Sequence, residues 1–139
     1  MKAIKLMLVL AVPIVAYQFW TTHQQEQQQR IAAVAASPNG FVPLPAVAGA
    51  DPRQVIVFAP ENCPSDAAQR SDAMARDLMN KSIPTMRSHD VTFTGAPEPG
   101  VQDRLNAVMN GELPIVIVNG KGKANPTLDQ VVAEYMATP

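Results

Sequence analysis

The side chain with the most reactive chemistry in this sequence belongs to its single cysteine. Cys63 is the only cysteine among 139 residues, and it opens the motif Cys63-Pro64-Ser65-Asp66. A cysteine thiolate attacks disulfides and forms mixed disulfides with other chains. Proline suits the first turn of a helix, because its missing N–H would have no partner there, so Pro64 predicts that Cys63 is a helix N-cap. The positive end of the helix dipole then faces the thiol and favours its ionisation.

Two carboxylates beside this thiol have the opposite effect. A helix N-terminus favours a nearby thiolate by roughly 0.3–1 kcal/mol. Glu61 and Asp66 each disfavour it by a comparable amount in a partly solvated site. No Lys, Arg or His lies within three residues of Cys63. Two interpretations stay open: a catalytic thiol, or a site that has lost its redox chemistry and in which Asp66 supports the helix start from position N3.

Charge and composition argue against several other functions. The formal net charge is −1, from 11 basic and 12 acidic residues, and no block of Lys or Arg occurs, so nucleic-acid binding is not expected. One cysteine cannot form an internal disulfide. His23 and His89 are distant from it in sequence, so we predict no metal site. We interpret His89 as a surface residue, and Lys121 and Lys123 as solvated turn charges.

The second half of the chain alternates between strand and helix patterns, which indicates an α/β fold. An apolar run of β-branched and aromatic residues predicts a central strand, and apolar residues spaced by three and four predict amphipathic helices. Asn119-Gly120 predicts a hairpin and Thr127 a helix cap. The predicted elements are a strand at 55–59, a helix at about 64–81, a strand at 90–94, a helix that starts near Val101 and ends at Gly111, a strand at 113–118, a weak strand at 121–125 and a C-terminal helix.

The first 50 residues have the composition of a membrane segment followed by a linker. Residues 6–16 are uncharged and apolar, Tyr17, Phe19 and Trp20 follow them, and Lys2 and Lys5 precede them, so the segment from Ile4 to Trp20 is about 17 residues long. This pattern predicts an uncleaved transmembrane anchor with a cytoplasmic N-terminus, although the length also suits a signal peptide. Residues 21–50 are rich in Gln, Pro and Ala and predict a tether, with a short coiled-coil stalk at 24–36 as the alternative. The predicted division is 1–20 anchor, 21–50 linker and 51–139 domain.

From residue 51 onwards, the chain resembles the thioredoxin superfamily and is closest in layout to glutaredoxins. The resemblance depends on Asn62-Cys63-Pro64 after an apolar strand, on Leu113-Pro114-Ile115 at the start of the third strand, and on the Val118-Asn119-Gly120 hairpin before a terminal helix. It implies a thioredoxin-like, glutaredoxin-sized mixed sheet flanked by helices. It also implies that Pro114 follows a cis peptide bond and lies against the active cysteine, with Leu113 offering its backbone to an extended substrate.

The chain also departs from that family. Asp66 occupies the position of the second cysteine of dithiol members, so disulfide exchange within one motif cannot occur. The glutaredoxin resemblance raises glutathione as a cofactor. Pro60 stands where those enzymes usually have a lysine, and Asn125-Pro126-Thr127 replaces their paired glycines, so we predict no cofactor.

Two functional hypotheses follow from these features. In the first, the chain is a membrane-anchored, redox-inactive binding module in the cell envelope, which holds a partner protein near Pro64, Asp66, Leu113 and Pro114. In the second, it is a monothiol thiol-disulfide oxidoreductase in which Cys63 forms mixed disulfides with client proteins. Both place residues 1–20 in the cytoplasmic membrane and the domain on its periplasmic or extracytoplasmic side.

Overall fold

The computed structural model describes residues 17–19, 36–61, 65–95 and 100–137. Most of the predicted anchor (1–16 and 20) and of the alternative stalk (24–35) lies outside these residues. Among the described residues, no helix combines the length and the apolar character needed to cross a membrane.

The described chain has a mixed α/β architecture in which helices flank a mixed sheet. This agrees with the predicted fold class at that level. In chain order the elements are β1 (Val42–Pro43), β2 (Ala46–Val47), β3 (Val55–Phe58), α1 (Asp66–Asn80), β4 (Thr85–Ser88), β5 (Phe93–Thr94), α2 (Val101–Met109), β6 (Ile115–Val118), β7 (Lys121–Ala124) and α3 (Leu128–Met136).

The main sheet is built around β3 and β6, as their apolar sequences predict. Its strand order is β1-β7-β6-β3-β4. β3 is parallel to β4 and antiparallel to β6, with Val57 opposite Val116. All four β6 residues and the first three of β3 are buried. The hairpin at Asn119-Gly120 is confirmed, because it joins β6 to the antiparallel β7.

Alternate residues of these two strands enter two separate cores. Successive side chains of a strand point to opposite faces of the sheet. Val57 and Val116 pack with Leu78 of α1 and Val131 of α3, whereas Ile117 packs with Val108 of α2 on the other face. Helices therefore cover both faces of β3 and β6, which explains why neither strand shows a polar face in its sequence.

The prediction of a second strand at 90–94 is wrong. The strand parallel to β3 is β4, and Thr85 pairs with Val55. Residues 93–94 form only the short β5, which pairs with β2 in a separate two-stranded sheet. β4 is a half-exposed edge strand, and an edge strand does not need the apolar alternation on which the prediction depended.

The domain also begins earlier than the predicted boundary at Asp51. Phe41 is fully buried in the core shared with α1 and α3, and Val42 pairs with Gly122 of β7. A Cβ at Gly122 would lie 2.4 Å from Leu44 Cδ1, so this glycine makes room for the incoming chain. The linker interpretation fails for residues 41–47, because the prolines between these apolar residues are tolerated on an edge strand.

A buried carboxylate on α3 holds this early segment in place. Glu134 is 1% exposed and accepts hydrogen bonds from Ser37 Oγ at 2.7 Å, Asn39 Nδ2 at 3.0 Å and Lys121 Nζ at 3.1 Å. Lys123 Nζ donates to the Asn39 carbonyl at 2.9 Å. The prediction that Lys121 and Lys123 are solvated turn charges is therefore wrong, since both bind groups that anchor residues 37–39.

Opposing effects act on the ionisation of Glu134. Burial alone would raise its pKa, because the charged form loses water. The hydrogen bonds from Ser37, Asn39 and Lys121, together with the charge of Lys121, outweigh burial and leave the pKa of Glu134 below its ordinary value. The carboxylate therefore stays ionised at neutral pH.

The burial of Phe41 leads to a stability prediction for a chain that starts at Ala36. We expect Phe41→Ala to lower the free energy of unfolding by about 3–5 kcal/mol, because it empties a filled core position. Met79→Ala removes a side chain that is 54% exposed and should cost less than about 1 kcal/mol. Urea denaturation measures both. Equal effects of the two substitutions on the free energy of unfolding would contradict the assignment of Phe41 to the core and support its assignment to the linker.

The lowered pKa of Glu134 leads to a prediction on pH. The stability that this carboxylate contributes is fully present above the ordinary glutamate pKa and is lost as the pH falls through the lowered pKa of the folded state. We expect Glu134→Gln to cost about 1–3 kcal/mol at neutral pH and to remove this part of the acid loss. Urea denaturation at several pH values tests it, with the exposed Glu112→Gln as control. Parallel pH curves for wild type and Glu134→Gln would contradict the assignment.

Candidate functional site

The predicted site lies at the end of the sheet where β3 ends and β6 begins. Phe58 pairs with Ile115, so the antiparallel register sets Ala59 beside Pro114. The Leu113–Pro114 peptide bond is cis, which confirms that prediction, and Pro114 is buried while Leu113 is half-buried. Cys63 and Pro64 lie outside the described residues, between Glu61 and Ser65.

The helix after the cysteine motif begins later than predicted. Ser65 is the N-cap of α1, with its hydroxyl accepting from the Ala68 N–H at 3.3 Å, and Asp66 is the first helical residue. The prediction of Cys63 as N-cap, with Pro64 at the first helical position, is wrong. Serine is among the preferred N-cap residues, which is the sequence signal that favoured Ser65 over Cys63.

This shift changes the role of Asp66. Its side chain is exposed and sits in the first turn of α1, so it is not the N3 residue of a capping arrangement. A carboxylate in the first turn still stabilises the helix through the dipole. The negative charge beside the motif remains, because Glu61 on the other side of residues 62–64 is exposed as well.

Arg70, to which the sequence analysis gave no role, connects α1 to the predicted substrate-facing backbone. Its Nη2 donates to the Leu113 carbonyl at 3.2 Å. Within the described part of the chain, the Leu113 N–H donates no hydrogen bond. Arg70 lies one helical turn after Asp66, and that spacing of four was the signal that could have placed it on the same side of α1.

A groove of about 230 Å³ runs beside these residues. Met74 of α1, Pro114, Pro126 and Leu128 of α3 give it apolar walls, and further lining comes from Arg70, Ala73, Asp77 and Asn125. Arg70 and Asp77 are separated by seven residues of helix, which is about 10 Å of axial rise. The groove therefore carries a positive charge near Pro114 and a negative charge at the other end, with apolar side chains between them.

Contacts from β4 and the residue after it hold the other side of the site. Arg87 Nη2 donates to the Pro60 carbonyl at 3.3 Å and Arg87 pairs with Asp72 of α1. His89 Nε2 lies 3.6 Å from a Glu61 carboxylate oxygen, and both side chains are well exposed. The interpretation of His89 as a surface residue is confirmed. These contacts connect β4 and the residue after it to Pro60 and Glu61, which precede the cysteine motif in the sequence.

No group of three His, Asp or Glu residues in the described ranges is close enough together to hold a metal ion. Asn125 already donates its backbone N–H to the Pro114 carbonyl at 2.7 Å. That N–H is therefore not open to a ligand in this arrangement.

No protein-family model, curated protein or solved structure matches this chain. A functional proposal must therefore come from its own residues. The residues that carry such an argument are the cysteine motif, the Leu113 backbone and the groove lined by Arg70 and Asp77.

The corrected helix start leads to a paired prediction. We expect Ser65→Ala to lower the free energy of unfolding by about 1 kcal/mol, because the Ala68 N–H loses its acceptor. Cys63→Ala should change it by less than about 0.5 kcal/mol, since that residue does not cap α1. Urea denaturation of both variants decides the matter. The reverse order of effects would restore Cys63 as the N-cap.

Proposed function

We propose that this chain is a thioredoxin-like, glutaredoxin-sized binding module whose cysteine motif is degenerate and whose partner is a protein segment. The observation that carries the proposal is the apolar groove beside Pro114, which has Arg70 and Asp77 at its ends. Further support comes from the order of elements: the cysteine motif follows an apolar strand in the sequence, and a later strand begins directly after Pro114 and leads through a hairpin to the last helix.

The backbone at Leu113 supports recognition of an extended segment. Its N–H is directed to no acceptor among the described residues, so a carbonyl of a partner in extended conformation can accept from it. Its own carbonyl is held by Arg70. A partner therefore pairs with one backbone group of Leu113, and its further affinity comes from side chains that enter the groove.

The chemistry of the groove specifies those side chains. Met74, Pro126 and Leu128 favour one apolar side chain of moderate size. Arg70 uses one N–H for Leu113, and its other donors are free to bind a carboxylate. We therefore infer a partner segment in which an acidic residue lies next to an apolar one, with the acidic residue nearest Pro114.

Exchange chemistry through Cys63 is the competing function. A lone thiolate can displace one sulfur of a client disulfide and form a mixed disulfide, but an external thiol must then release the client. Asp66 stands where an internal second thiol would act, and Glu61 and Asp66 both disfavour the thiolate. These charges make non-covalent binding the stronger proposal and monothiol oxidoreductase activity the alternative.

We further propose that residues 1–20 anchor the module in the cytoplasmic membrane, with the domain on its periplasmic or extracytoplasmic side. The support is the sequence: an apolar stretch that begins at Leu6 follows Lys2 and Lys5, and positive charge favours the cytoplasmic side. An intact N-terminus on the membrane-bound protein is expected. A mature chain that begins at or shortly after Tyr17 would contradict the anchor.

Selection from a library of displayed heptapeptides on the full chain in lipid nanodiscs tests the partner class. We expect enrichment of peptides with Asp or Glu within two positions of an apolar residue. Arg70→Glu should reverse the charge preference, and Arg70→Ala should weaken a selected peptide roughly fivefold, the effect of about 1 kcal/mol.

Arg76→Glu is the matched control, because Arg76 is exposed on the same helix but does not line the groove. It should leave the selected peptides unchanged. If Arg70→Glu and Arg76→Glu select the same peptides as wild type, the groove is not the binding site.

A further inference from the structure

A second and larger cavity lies at the opposite end of the sheet. It has a volume of about 610 Å³ and is lined by residues that precede β3, by the β6–β7 hairpin and by the end of α3. β3, which is 4 residues or about 13 Å long, runs from this cavity toward the end of the sheet where Ala59 lies beside Pro114. This cavity is independent of the groove beside Pro114, and its size falls within the usual range of small-molecule sites.

The floor and walls of this cavity are apolar and held in place. Ile56 and Ile117 are cross-strand partners in its floor, while Val47 and Met136 contribute walls. Leu44 donates its backbone N–H to the Gly120 carbonyl at 2.9 Å, and Asn119 Nδ2 donates to the Glu134 carbonyl at 3.2 Å. These hydrogen bonds connect the hairpin to the chain at Leu44 and to α3, and all three segments lie at the cavity.

The two charged residues in the lining, Asp51 and Arg53, differ in how free their side chains are to bind a ligand. Asp51 is occupied by its own turn: its Oδ1 accepts from the Arg53 N–H at 2.8 Å, and its carbonyl accepts from the Gln54 N–H at 3.0 Å. The Arg53 guanidinium has no hydrogen bond or ion pair within the described residues. A free guanidinium at the rim of an apolar cavity favours a carboxylate, which it can bind through two parallel hydrogen bonds.

We propose that this cavity binds a small amphipathic carboxylate, with its aliphatic body over Ile56 and Ile117 and its carboxylate on Arg53. The half-buried Tyr135, whose hydroxyl has no partner within the described residues, lies in the same lining and offers a second hydrogen bond. A cationic amphiphile is disfavoured because Arg53 repels its charge. Asp51, whose Oδ1 already accepts a hydrogen bond, is the only carboxylate in the lining that could bind it.

Methionine-methyl NMR of the full chain in nanodiscs tests this site with hexanoate, hexanol and hexylamine as probes. The short chain keeps the probes soluble in water and limits their partition into lipid. The Met136 methyl should shift saturably with hexanoate, whereas Met79, which is exposed but outside the cavity, should not. Met136→Leu assigns the signal, and empty nanodiscs measure the lipid background.

The charge of the probe separates the outcomes. We expect hexanol and hexylamine to bind at least fivefold more weakly than hexanoate. Arg53→Gln should abolish the difference between hexanoate and hexanol, while Arg76→Gln should preserve it. No saturable shift of Met136, equal binding of hexanol, or tighter binding of hexylamine would each overturn the proposal.

Discussion

The antiparallel pairing of β3 with β6 is the constraint on which the rest of this structure depends. It aligns Phe58 with Ile115, and helices cover the sheet on both faces. Because the strands run in opposite directions, the last residues of β3 and the first residues of β6 lie at the same end of the sheet. The first residues of β3 and the last residues of β6 lie at the opposite end. The groove at Pro114 and the cavity at Arg53 are consequences of this pairing.

The two ends of the sheet are held by different interactions. At the Pro114 end, single hydrogen bonds of exposed arginines join α1 and β4 to backbone carbonyls. Such exposed contacts contribute little stability and can exchange with a partner. At the other end, the buried Glu134 satisfies three donors at once, and removal of any one of them leaves polar groups without a partner in a buried environment. The adaptable end is therefore the one where we propose protein binding.

The features of the fold that could be predicted from the sequence are those in which local signals and burial agree. Local sequence within a few residues predicts the apolar strands β3 and β6, the Asn119-Gly120 hairpin and the Thr127 cap. The Thr127–Gln130 capping box is also a local pattern that the sequence contains. β4 could not be found by this route. Its position depends on parallel pairing with β3. The sequence Thr85–Ser88 has no periodicity that would predict this pairing.

Long-range contacts also explain why the domain start and part of the site were missed. Phe41 and Val42 lie in a Pro- and Gly-rich stretch, and only their packing with distant residues identifies them as core. Arg70 acquires its role from Leu113, 43 residues later. The cis bond before Pro114 belongs to a local motif that the family resemblance implies, whereas the start of α1 follows the N-cap preference of Ser65 and not the preference of Pro64 for the first helical turn.

The proposed binding module requires that the cysteine motif does not catalyse disulfide exchange. Its most direct test is the rate of insulin-disulfide reduction by dithiothreitol in the presence of the wild-type chain and of Cys63→Ala. We expect both proteins to leave the uncatalysed rate unchanged, because Cys63 has no second cysteine in the chain as a resolving partner and is flanked in sequence by Glu61 and Asp66. A clear acceleration by wild type that disappears in Cys63→Ala would contradict it and establish Cys63 as a working monothiol.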